Sequence, residues 1–332
     1  EGDVITLDGG TGKVYKGSIA TIPARFSDDL KTLLGWADEI AELRVMANSD
    51  EPAAARKARE YGAMGIGLCR TERMFNASDR LPIVIDMILA NSEEERQTAL
   101  DKLLPIQRTD FIEILSAMAP NPVTVRLLDP PMHEFLPTEQ QLLDEIDTLQ
   151  LYRKVIRGRQ TALATTNSSS ELPQPFSELR EEFVNDALLK KERMLKKVRE
   201  LQEVNPMLGH RGVRLGISYP EIYAMQVRAI LEAALECAQQ GISVQPEIMV
   251  PQVVTPQELA HVKRTVVALT AELERASNQK LKFEFGTMIE TVRACTRARE
   301  MAEYVDFFSF GTNDLTQATF SFSREDAENK FL

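Results

Sequence analysis

The chain has 332 residues, of which 43% are hydrophobic and 27% are charged, as in ordinary globular proteins. Its 50 acidic and 39 basic side chains give a net charge of −11, and an acidic chain is a poor general binder of nucleic acid or anionic membranes. No apolar run reaches the ~18 residues that a membrane span requires. We therefore expect no nucleic-acid and no membrane partner, and any site for an anionic substrate must be built from locally placed arginines or a metal.

The first twenty residues have the pattern of a β-hairpin. Residues 4–7 and 13–15 have strand character, and glycine-rich turn sequence separates them at residues 9–12. A lone hairpin is marginally stable in water. We therefore expect the hairpin to belong to a domain that begins before residue 1.

After Pro23 the pattern changes to alternating strands and helices. Seven strands are predicted, at residues 44–47, 65–70, 123–128, 212–217, 247–250, 282–289 and 305–310. Helices are predicted at residues 51–61, 92–119, 220–240, 256–276 and 291–303. This alternation indicates a parallel sheet with right-handed crossovers, and the apolar strands indicate that both faces are covered. We expect an α/β fold, a (β/α)8 TIM-type barrel that lacks its last strand.

A polar stretch interrupts this rhythm at residues 161–174, where serine and threonine are frequent and a mobile surface segment is predicted. The next helix has Leu188, Leu195, Val198 and Leu201 on one face and lysines and arginines on the other. That basic face has two interpretations, a nucleic-acid contact and a solvated surface. The acidic balance of the chain favours the solvated surface.

Charged and amide side chains stand at the ends of four predicted strands: Arg70, Arg126, Glu290, Asn313 and Asp314. In barrels, such residues at the carboxyl ends of strands form the active site. Glu290 and Asp314 offer the oxygen ligands that Mg²⁺ prefers, and guanidinium groups bind carboxylate and phosphate through paired hydrogen bonds. Together they would hold a substrate that carries both groups and would stabilise an enolate oxygen.

Alternatively, these side chains form ion pairs with a purely structural role. Structural ion-pair networks also shift the pKa values of their members, so charged groups at strand ends do not by themselves indicate an active site. Spacing alone leaves both interpretations open. Small residues at the ends of the same strands would let a ligand approach the backbone; they are Gly286, Thr287, Gly311 and Thr312.

Cysteine usage indicates the compartment. Cys69, Cys237 and Cys295 are few, odd in number and without a CxxC motif, which disfavours a disulfide framework and a zinc site. We expect a soluble protein in a reducing intracellular compartment, the cytoplasm first, with a plastid or another organelle still open. Cys69 and Cys295 are expected to be small core residues.

Six segments of the sequence carry a family resemblance. They are residues 65–75 (GIGLCRTERMF), 126–137 (RLLDPPMHEFLP), 205–215 (NPMLGHRGVRL), 246–253 (PEIMVPQV), 285–294 (FGTMIETVRA) and 308–319 (FSFGTNDLTQAT). Together they resemble the phosphoenolpyruvate-binding domain of the pyruvate, phosphate dikinase family over most of the chain. Phosphoenolpyruvate synthase and enzyme I of the sugar phosphotransferase system are alternatives, since they share the Arg-Thr-Glu and Asn-Asp elements. The Asp-Pro-Pro-x-His-Glu-Phe run after Arg126 favours the dikinases.

The resemblance implies a role for each site residue. Arg70 and Arg126 would be catalytic and would bind the phosphoryl group and the carboxylate of phosphoenolpyruvate. Glu290 and Asp314 would ligate Mg²⁺, and Asn313 would hydrogen-bond the substrate. The substrate-binding set would also include Gly311, Thr312, Arg211 and Arg324.

The resemblance also implies an activity, domains and partners. The intact enzyme would interconvert ATP, phosphate and pyruvate with AMP, diphosphate and phosphoenolpyruvate. A histidine of a swivelling domain, phosphorylated at a nucleotide-binding domain, would pass its phosphoryl group to pyruvate in this barrel. Residues 1–20 would be the tail of the phosphohistidine domain and residues 21–332 the barrel, through which two chains would form a homodimer.

The sequence departs from the family pattern in several places. None of the three histidines has the context of the phosphohistidine. The Gly-x-Cys-Gly-Glu motif of the family's last strand, whose cysteine would protonate the enolate, does not occur. Arg73 replaces a frequent histidine, and an insertion is expected near residues 155–190. We therefore expect a fragment that does not complete the reaction alone; a non-catalytic truncated binding module is the alternative.

Overall fold

The computed structural model describes residues 2–20, 27–165, 181–324 and 327, with side chains described only to residue 158 in the helix that ends at Thr165. The chain divides into two compact units, Glu1–Arg44 and Val45–Leu332. The domain boundary expected at residue 20 stays a prediction.

The first unit contains the predicted hairpin and a helix. Strand β1 (Ile5–Asp8) pairs antiparallel with β2 (Lys13–Lys16), which confirms the hairpin. The Asp8 carboxylate closes its turn by accepting hydrogen bonds from the Gly10 N–H at 3.0 Å and the Thr11 hydroxyl at 2.6 Å. Helix α1 (Asp28–Ile40) was not predicted, although Ser27 caps its first turn by accepting the Leu30 N–H.

The second unit is built on one parallel sheet. Its six strands are β3 (Ala47–Asn48), β4 (Ile66–Arg70), β5 (Pro122–Arg126), β6 (Gln245–Val250), β7 (Glu284–Ile289) and β8 (Phe307–Phe310). They lie side by side in chain order, from β3 at one edge to β8 at the other, and every neighbouring pair is parallel. This is the order in which strands follow one another in a (β/α)8 barrel. The expected fold, an incomplete TIM-type barrel, is confirmed.

Helices follow the strands along the chain. They are α2 (Pro52–Glu60), α3 (Thr71–Phe75), α4 (Leu81–Leu89), α5 (Glu93–Met118), α6 (Glu139–Thr165), α7 (Glu181–Leu201), α8 (Val213–Ser218), α9 (Pro220–Gln239), α10 (Pro256–Ser277), α11 (Val292–Thr296), α12 (Ala298–Met301) and α13 (Thr312–Phe320). The predicted helix at 291–303 is interrupted at Arg297, between α11 and α12. The other four predicted helices agree with α2, α5, α9 and α10 to within a residue or so.

The strand predicted at residues 212–217 is wrong, because this segment forms α8. Gly212 has φ 58° and ψ −133°, a backbone conformation that favours glycine, and it turns the chain into the helix. Its N–H donates to the Asp129 carbonyl at 2.8 Å, and the Val213 N–H donates to the Pro251 carbonyl at 3.0 Å. The described sheet therefore has six strands rather than the seven that were predicted.

The hydrophobic core lies between the sheet and its helices, chiefly α5 and α9. Leu103, Phe111 and Ile114 of α5 and Ile230 of α9 are fully buried, as are Val123 and Val125 of β5. Burial of such side chains is the main favourable term in folding, at about 25 cal/mol per Å² of apolar surface. The core thereby fixes the strands whose carboxyl ends carry the predicted site.

Helix α7 carries the basic face that the sequence indicated. Lys191 pairs with Glu145 at 2.5 Å and Lys190 with Asp86 at 3.9 Å, while Leu188, Leu195 and Val198 are buried, as predicted. Of the polar stretch, residues 161–165 end helix α6, and the rest lies outside the described residues. Within the described ranges, no helix is long and apolar enough to cross a membrane.

Candidate active site

The structure brings the predicted site residues to the carboxyl edge of the sheet. Arg70 and Arg126 end the neighbouring strands β4 and β5 and are partners in the strand register, so their backbones lie about 4.8 Å apart. Glu290 directly follows β7, and Asp314 lies in the first turn of α13, directly after β8. Arg211 precedes α8, whose first residues are bonded to the loops after β5 and β6.

Arg126 lies in a buried ion-pair network. Its Nη2 donates to Glu72 Oε1, and its Nη1 lies 3.0 Å from Asp129 Oδ2. Burial alone would lower the pKa of Arg126, but the carboxylates of Asp129, Glu72 and Glu290 outweigh it and raise that pKa above its usual value. The Arg126 Nε and the Glu72 Oε2 are buried without a hydrogen-bond partner among the described residues. Buried polar atoms of this kind ordinarily have partners, so these two are exceptions within the network.

Asp129 links this network to Arg211. Its side chain is only 1% exposed, and it accepts hydrogen bonds from Arg211 Nη2 at 2.5 Å and Nε at 3.3 Å. Arg211 Nη1 lies 3.8 Å from Asp314 Oδ1. A continuous chain of alternating charges therefore runs from Glu72 in α3 across the sheet edge to Asp314 in α13.

Among the described residues, Glu290 is the most deeply buried carboxylate after Asp129. It is 2% exposed, and its Oε1 accepts the backbone N–H of Gln252 at 2.6 Å. Gln252 adopts φ 58°, an unfavourable conformation for a residue with a side chain, and it is this backbone that donates the hydrogen bond to Glu290. The Oε2 atom has no partner in the described part of the chain. Burial first, and then the charge of Asp129, raise the pKa of Glu290 to about 7.

Gly311 leaves room for the Glu290 carboxylate. A Cβ at Gly311 would lie 2.7 Å from both the Cβ and the Oε2 of Glu290, closer than atoms approach in folded proteins. Glycine at this position therefore leaves space for the unpaired oxygen; the predicted approach of a ligand to the backbone there stays a prediction.

Two of the predicted arginines lie outside this network. Arg70 pairs instead with Asp50, at 2.7 Å between Nη2 and Oδ2. Arg324 is exposed, and its Nη1 lies 3.4 Å from Asn313 Oδ1. The structure thus places Arg324 beside the predicted substrate-binding amide.

The donor set fits a hard divalent cation. Four carboxylates lie in the network, those of Glu72, Asp129, Glu290 and Asp314, and only the guanidinium groups of Arg126 and Arg211 oppose them. Carboxylates outnumber guanidinium groups in this network, and the buried Glu290 Oε2 lacks a partner among the described residues, which suits a cation. No group of three or more ligand side chains exists among the described residues. Mg²⁺ ordinarily takes one or two protein carboxylates and completes its shell with water and substrate oxygens, so Glu290 and Asp314 would be enough in number.

Sequence reasoning missed the carboxylates that hold the arginines. Glu72 and Asp129 stand inside motifs that the sequence displays, Arg-Thr-Glu and Asp-Pro-Pro, but nothing in their spacing predicts ion pairs with Arg126. Asp50 had no sequence signal. The structural ion pairs of the alternative interpretation therefore exist, and they surround polar atoms that remain unpaired.

The three cysteines are free thiols. Cys69 is fully buried in β4, as expected, and Cys237 is also buried. Cys295 is exposed on α11, so its expected place in the core is wrong. The helix that carries it is one and a half turns long and buries only Ala294.

Comparison with known proteins agrees with the sequence motifs. The family described as "PEP-utilising enzyme, PEP-binding domain" matches residues 25–331. Proteins named pyruvate, phosphate dikinase are 49% identical in Entamoeba histolytica and 43% identical in Giardia intestinalis, each over 100% of this chain. The protein of Arabidopsis thaliana named "Pyruvate, phosphate dikinase 1, chloroplastic" is 46% identical over 100% of this chain.

The chain spans about a third of the length of these relatives, 34%, 33% and 31% respectively. The resemblance to the pyruvate, phosphate dikinases is thereby confirmed. Because the family profile covers nearly the whole sequence, the chain belongs to the PEP-utilising enzymes, as their PEP-binding domain.

Proposed function

We propose that the chain is the part of a pyruvate, phosphate dikinase that binds phosphoenolpyruvate and pyruvate. The observation that supports it most is the unpaired, buried polar atoms of Glu290, Arg126 and Glu72 within one charged network at the carboxyl edge of the sheet. That edge is where barrel enzymes bind their substrates. The names of the relatives supply the reaction class.

In the proposed reaction, the N–P bond of a phosphohistidine breaks and an O–P bond forms to the enolate oxygen of pyruvate. As the enolate forms, the methyl group of pyruvate would lose one proton to the cysteine that the family resemblance places on the last strand, and the histidine is released. The phosphohistidine and nucleotide-binding domains of the intact protein are the partners for this step. Over the whole cycle, ATP, phosphate and pyruvate become AMP, diphosphate and phosphoenolpyruvate.

Within this chain, Arg70 and Arg126 would bind the oxyanion groups of the substrate, because guanidinium groups match phosphate and carboxylate geometry. Glu290 and Asp314 would hold Mg²⁺, which supplies Lewis-acid stabilisation of the enolate oxygen when bound. The buried network excludes water and holds these groups before the substrate arrives, which strengthens their electrostatic effect. Asn313 would donate a hydrogen bond to the substrate, with Gly311 and Thr312 beside it; Arg211 and Arg324 would add positive charge.

The proposal also covers assembly and location. We infer a homodimer through the barrel and a reducing intracellular compartment, which is the cytoplasm, a plastid or another organelle. Sedimentation of the purified chain at several concentrations tests the dimer, and a single monomeric species throughout would contradict it.

The binding proposal is tested by titrating phosphoenolpyruvate into the chain in a calorimeter, with Mg²⁺ present. We expect saturable binding that Arg70→Met and Arg126→Met each weaken by ~10-fold or more, the usual range for a lost charged hydrogen bond. The matched control is Arg228→Met, which removes an arginine from an ion pair with Glu272 on the outer helices. Equal affinity of all three variants and the wild type would overturn the proposal.

A further inference from the structure

Asp50 holds one edge of the Arg70 guanidinium. Its carboxylate accepts hydrogen bonds from the Arg70 backbone N–H at 2.7 Å, from Nη2 at 2.7 Å and from Nε at 3.1 Å. The Asp50 side chain is only 10% exposed. Asp50 lies in the loop after β3, the strand next to β4, so the sheet itself sets the position of the carboxylate.

This contact leaves the other edge of Arg70 available. The Nη1 atom donates no hydrogen bond within the described part of the chain, whereas Nε and Nη2 are both used. The Arg70 side chain remains 31% exposed. A guanidinium held along its Nε–Nη2 edge has its plane fixed and presents Nη1 and the second hydrogen of Nη2 outward, in the fork that binds an oxyanion.

Building on the proposed function, we propose that Asp50 is a positioning residue for phosphoenolpyruvate binding. It fixes the guanidinium plane of Arg70 so that the free edge meets an oxyanion group of the substrate. Asp50 itself touches no substrate atom in this account. Pre-ordering a long side chain lowers the entropy lost on binding, since an arginine otherwise gives up much rotamer freedom.

The direction in which Asp50→Asn changes the affinity for phosphoenolpyruvate distinguishes a positioning role of Asp50 from a purely electrostatic one. Asp50 carries a negative charge beside Arg70, and by charge alone it would repel an anionic substrate. If charge were its only effect, Asp50→Asn would tighten phosphoenolpyruvate binding. If Asp50 orients Arg70, the same isosteric change weakens binding, although it removes a negative charge from the site.

The test is a double-mutant cycle on this chain, read as the calorimetric Kd for phosphoenolpyruvate with Mg²⁺. We expect Asp50→Asn to weaken binding by about 10-fold in the wild type and by less than about 2-fold in Arg70→Lys. Glu232→Gln is the matched control, because Glu232 is an arginine-paired carboxylate, 20% exposed, on α9; its affinity should equal the wild type. Tighter binding in Asp50→Asn, or an equal loss in both backgrounds, would overturn the proposal.

A second measurement needs no substrate. The ¹⁵N–¹H signal of Arg70 Nε should be slow to exchange in the wild type, fast in Asp50→Asn and unchanged in Glu232→Gln. An equally slow signal in Asp50→Asn would overturn the proposal even if phosphoenolpyruvate did not bind. Absence of binding by the wild type, with the Nε signal protected by Asp50, would instead count against the proposed function and leave the orienting contact established. Asp50→Glu, which moves the carboxylate by one methylene, serves in the same tests if Asp50→Asn does not fold.

Discussion

Glu290 accepts the backbone N–H of Gln252 at 2.6 Å in a site where the glutamate is only 2% exposed. Burial and the charge of Asp129 raise the pKa of Glu290 from 4.5 to about 7. Between these values the folded, metal-free protein binds more protons than the unfolded chain, so its stability falls as pH rises. The loss is complete above pH 7 and amounts to about 3 kcal/mol, an order-of-magnitude figure.

We therefore expect Glu290→Gln to unfold at a higher temperature than the wild type at pH 8 in EDTA. At pH 4.5, where the wild-type glutamate is protonated in the folded protein, the two should unfold alike. Differential scanning calorimetry measures both. Saturating Mg²⁺ should raise the Tm of the wild type at pH 8 and leave that of Glu290→Gln nearly unchanged. A variant less stable than the wild type at pH 8 without metal would contradict this explanation.

Gly311→Ala tests the space beside Glu290. Its Cβ would lie 2.7 Å from Glu290 Oε2, so we expect the carboxylate to move and Mg²⁺-dependent binding of phosphoenolpyruvate to weaken by ~10-fold or more. Gly158→Ala is the control, because a Cβ at that position in α6 meets no atom within 4 Å. This control should bind as the wild type does and gain up to ~1 kcal/mol in stability, since alanine favours a helix over glycine. If both variants bound phosphoenolpyruvate equally well, the space that Gly311 leaves beside Glu290 would not be needed for binding.

Helix α9 holds the loop that carries Asp129. The Tyr223 hydroxyl donates to the Leu128 carbonyl at 3.0 Å, and Gln226 Oε1 accepts the Leu128 N–H at 2.8 Å, all within the buried core. Tyr223→Phe leaves the carbonyl unpaired, and we expect a loss of about 1 kcal/mol in the free energy of unfolding. Urea denaturation measures it, with Tyr15→Phe, at a side chain that is 39% exposed, as the control. An unchanged midpoint in Tyr223→Phe would show that the Tyr223 hydroxyl does not stabilise this loop.

The three thiols should differ in reactivity. Burial first, and then the nearby carboxylates of Asp50 and Glu72, raise the pKa of Cys69 well above its usual value, and burial raises the pKa of Cys237. Thiolate is the reactive form, so we expect one thiol, Cys295, to react with Ellman's reagent in the native protein up to pH 9. All three should react after denaturation in guanidinium chloride. Loss of the native reaction in Cys295→Ser is the confirming control, and a second fast thiol would contradict the described burial.

The positions of three candidate site residues at strand ends could be predicted from the sequence, because each follows an apolar run. Arg70, Arg126 and Glu290 stand directly after such runs, and parallel strands place their carboxyl ends on one edge. The segment at 212–217 was predicted as a strand because GVRLGI is a short apolar run, and a run of that length suits a strand or a buried helix equally well. The positive φ of Gly212 and its hydrogen bond to Asp129 decide for the helix; these are tertiary facts that no local pattern contains.

The partners of the arginines were beyond sequence reasoning for a related reason. Glu72 lies 54 positions from Arg126, and Asp129 lies 82 positions from Arg211. Such pairs depend on the order of the strands in the sheet and on the position of the first residues of α8, and both are set only when the chain folds. Asp50 and Arg70 also pair across neighbouring strands, 20 positions apart. Residue types at strand ends thus predicted which side chains the candidate site contains, and the topology supplied the contacts between them.

The central claim is that this sheet edge binds phosphoenolpyruvate together with a divalent cation. The most direct measurement is a crystal structure of the chain grown with phosphoenolpyruvate and Mn²⁺, collected for anomalous scattering of manganese. We predict one anomalous peak bonded to Glu290 Oε2 and to the Asp314 carboxylate, with the substrate's oxyanion groups against Arg70 and Arg126. A substrate bound elsewhere, or a manganese peak away from Glu290 and Asp314, would contradict the account.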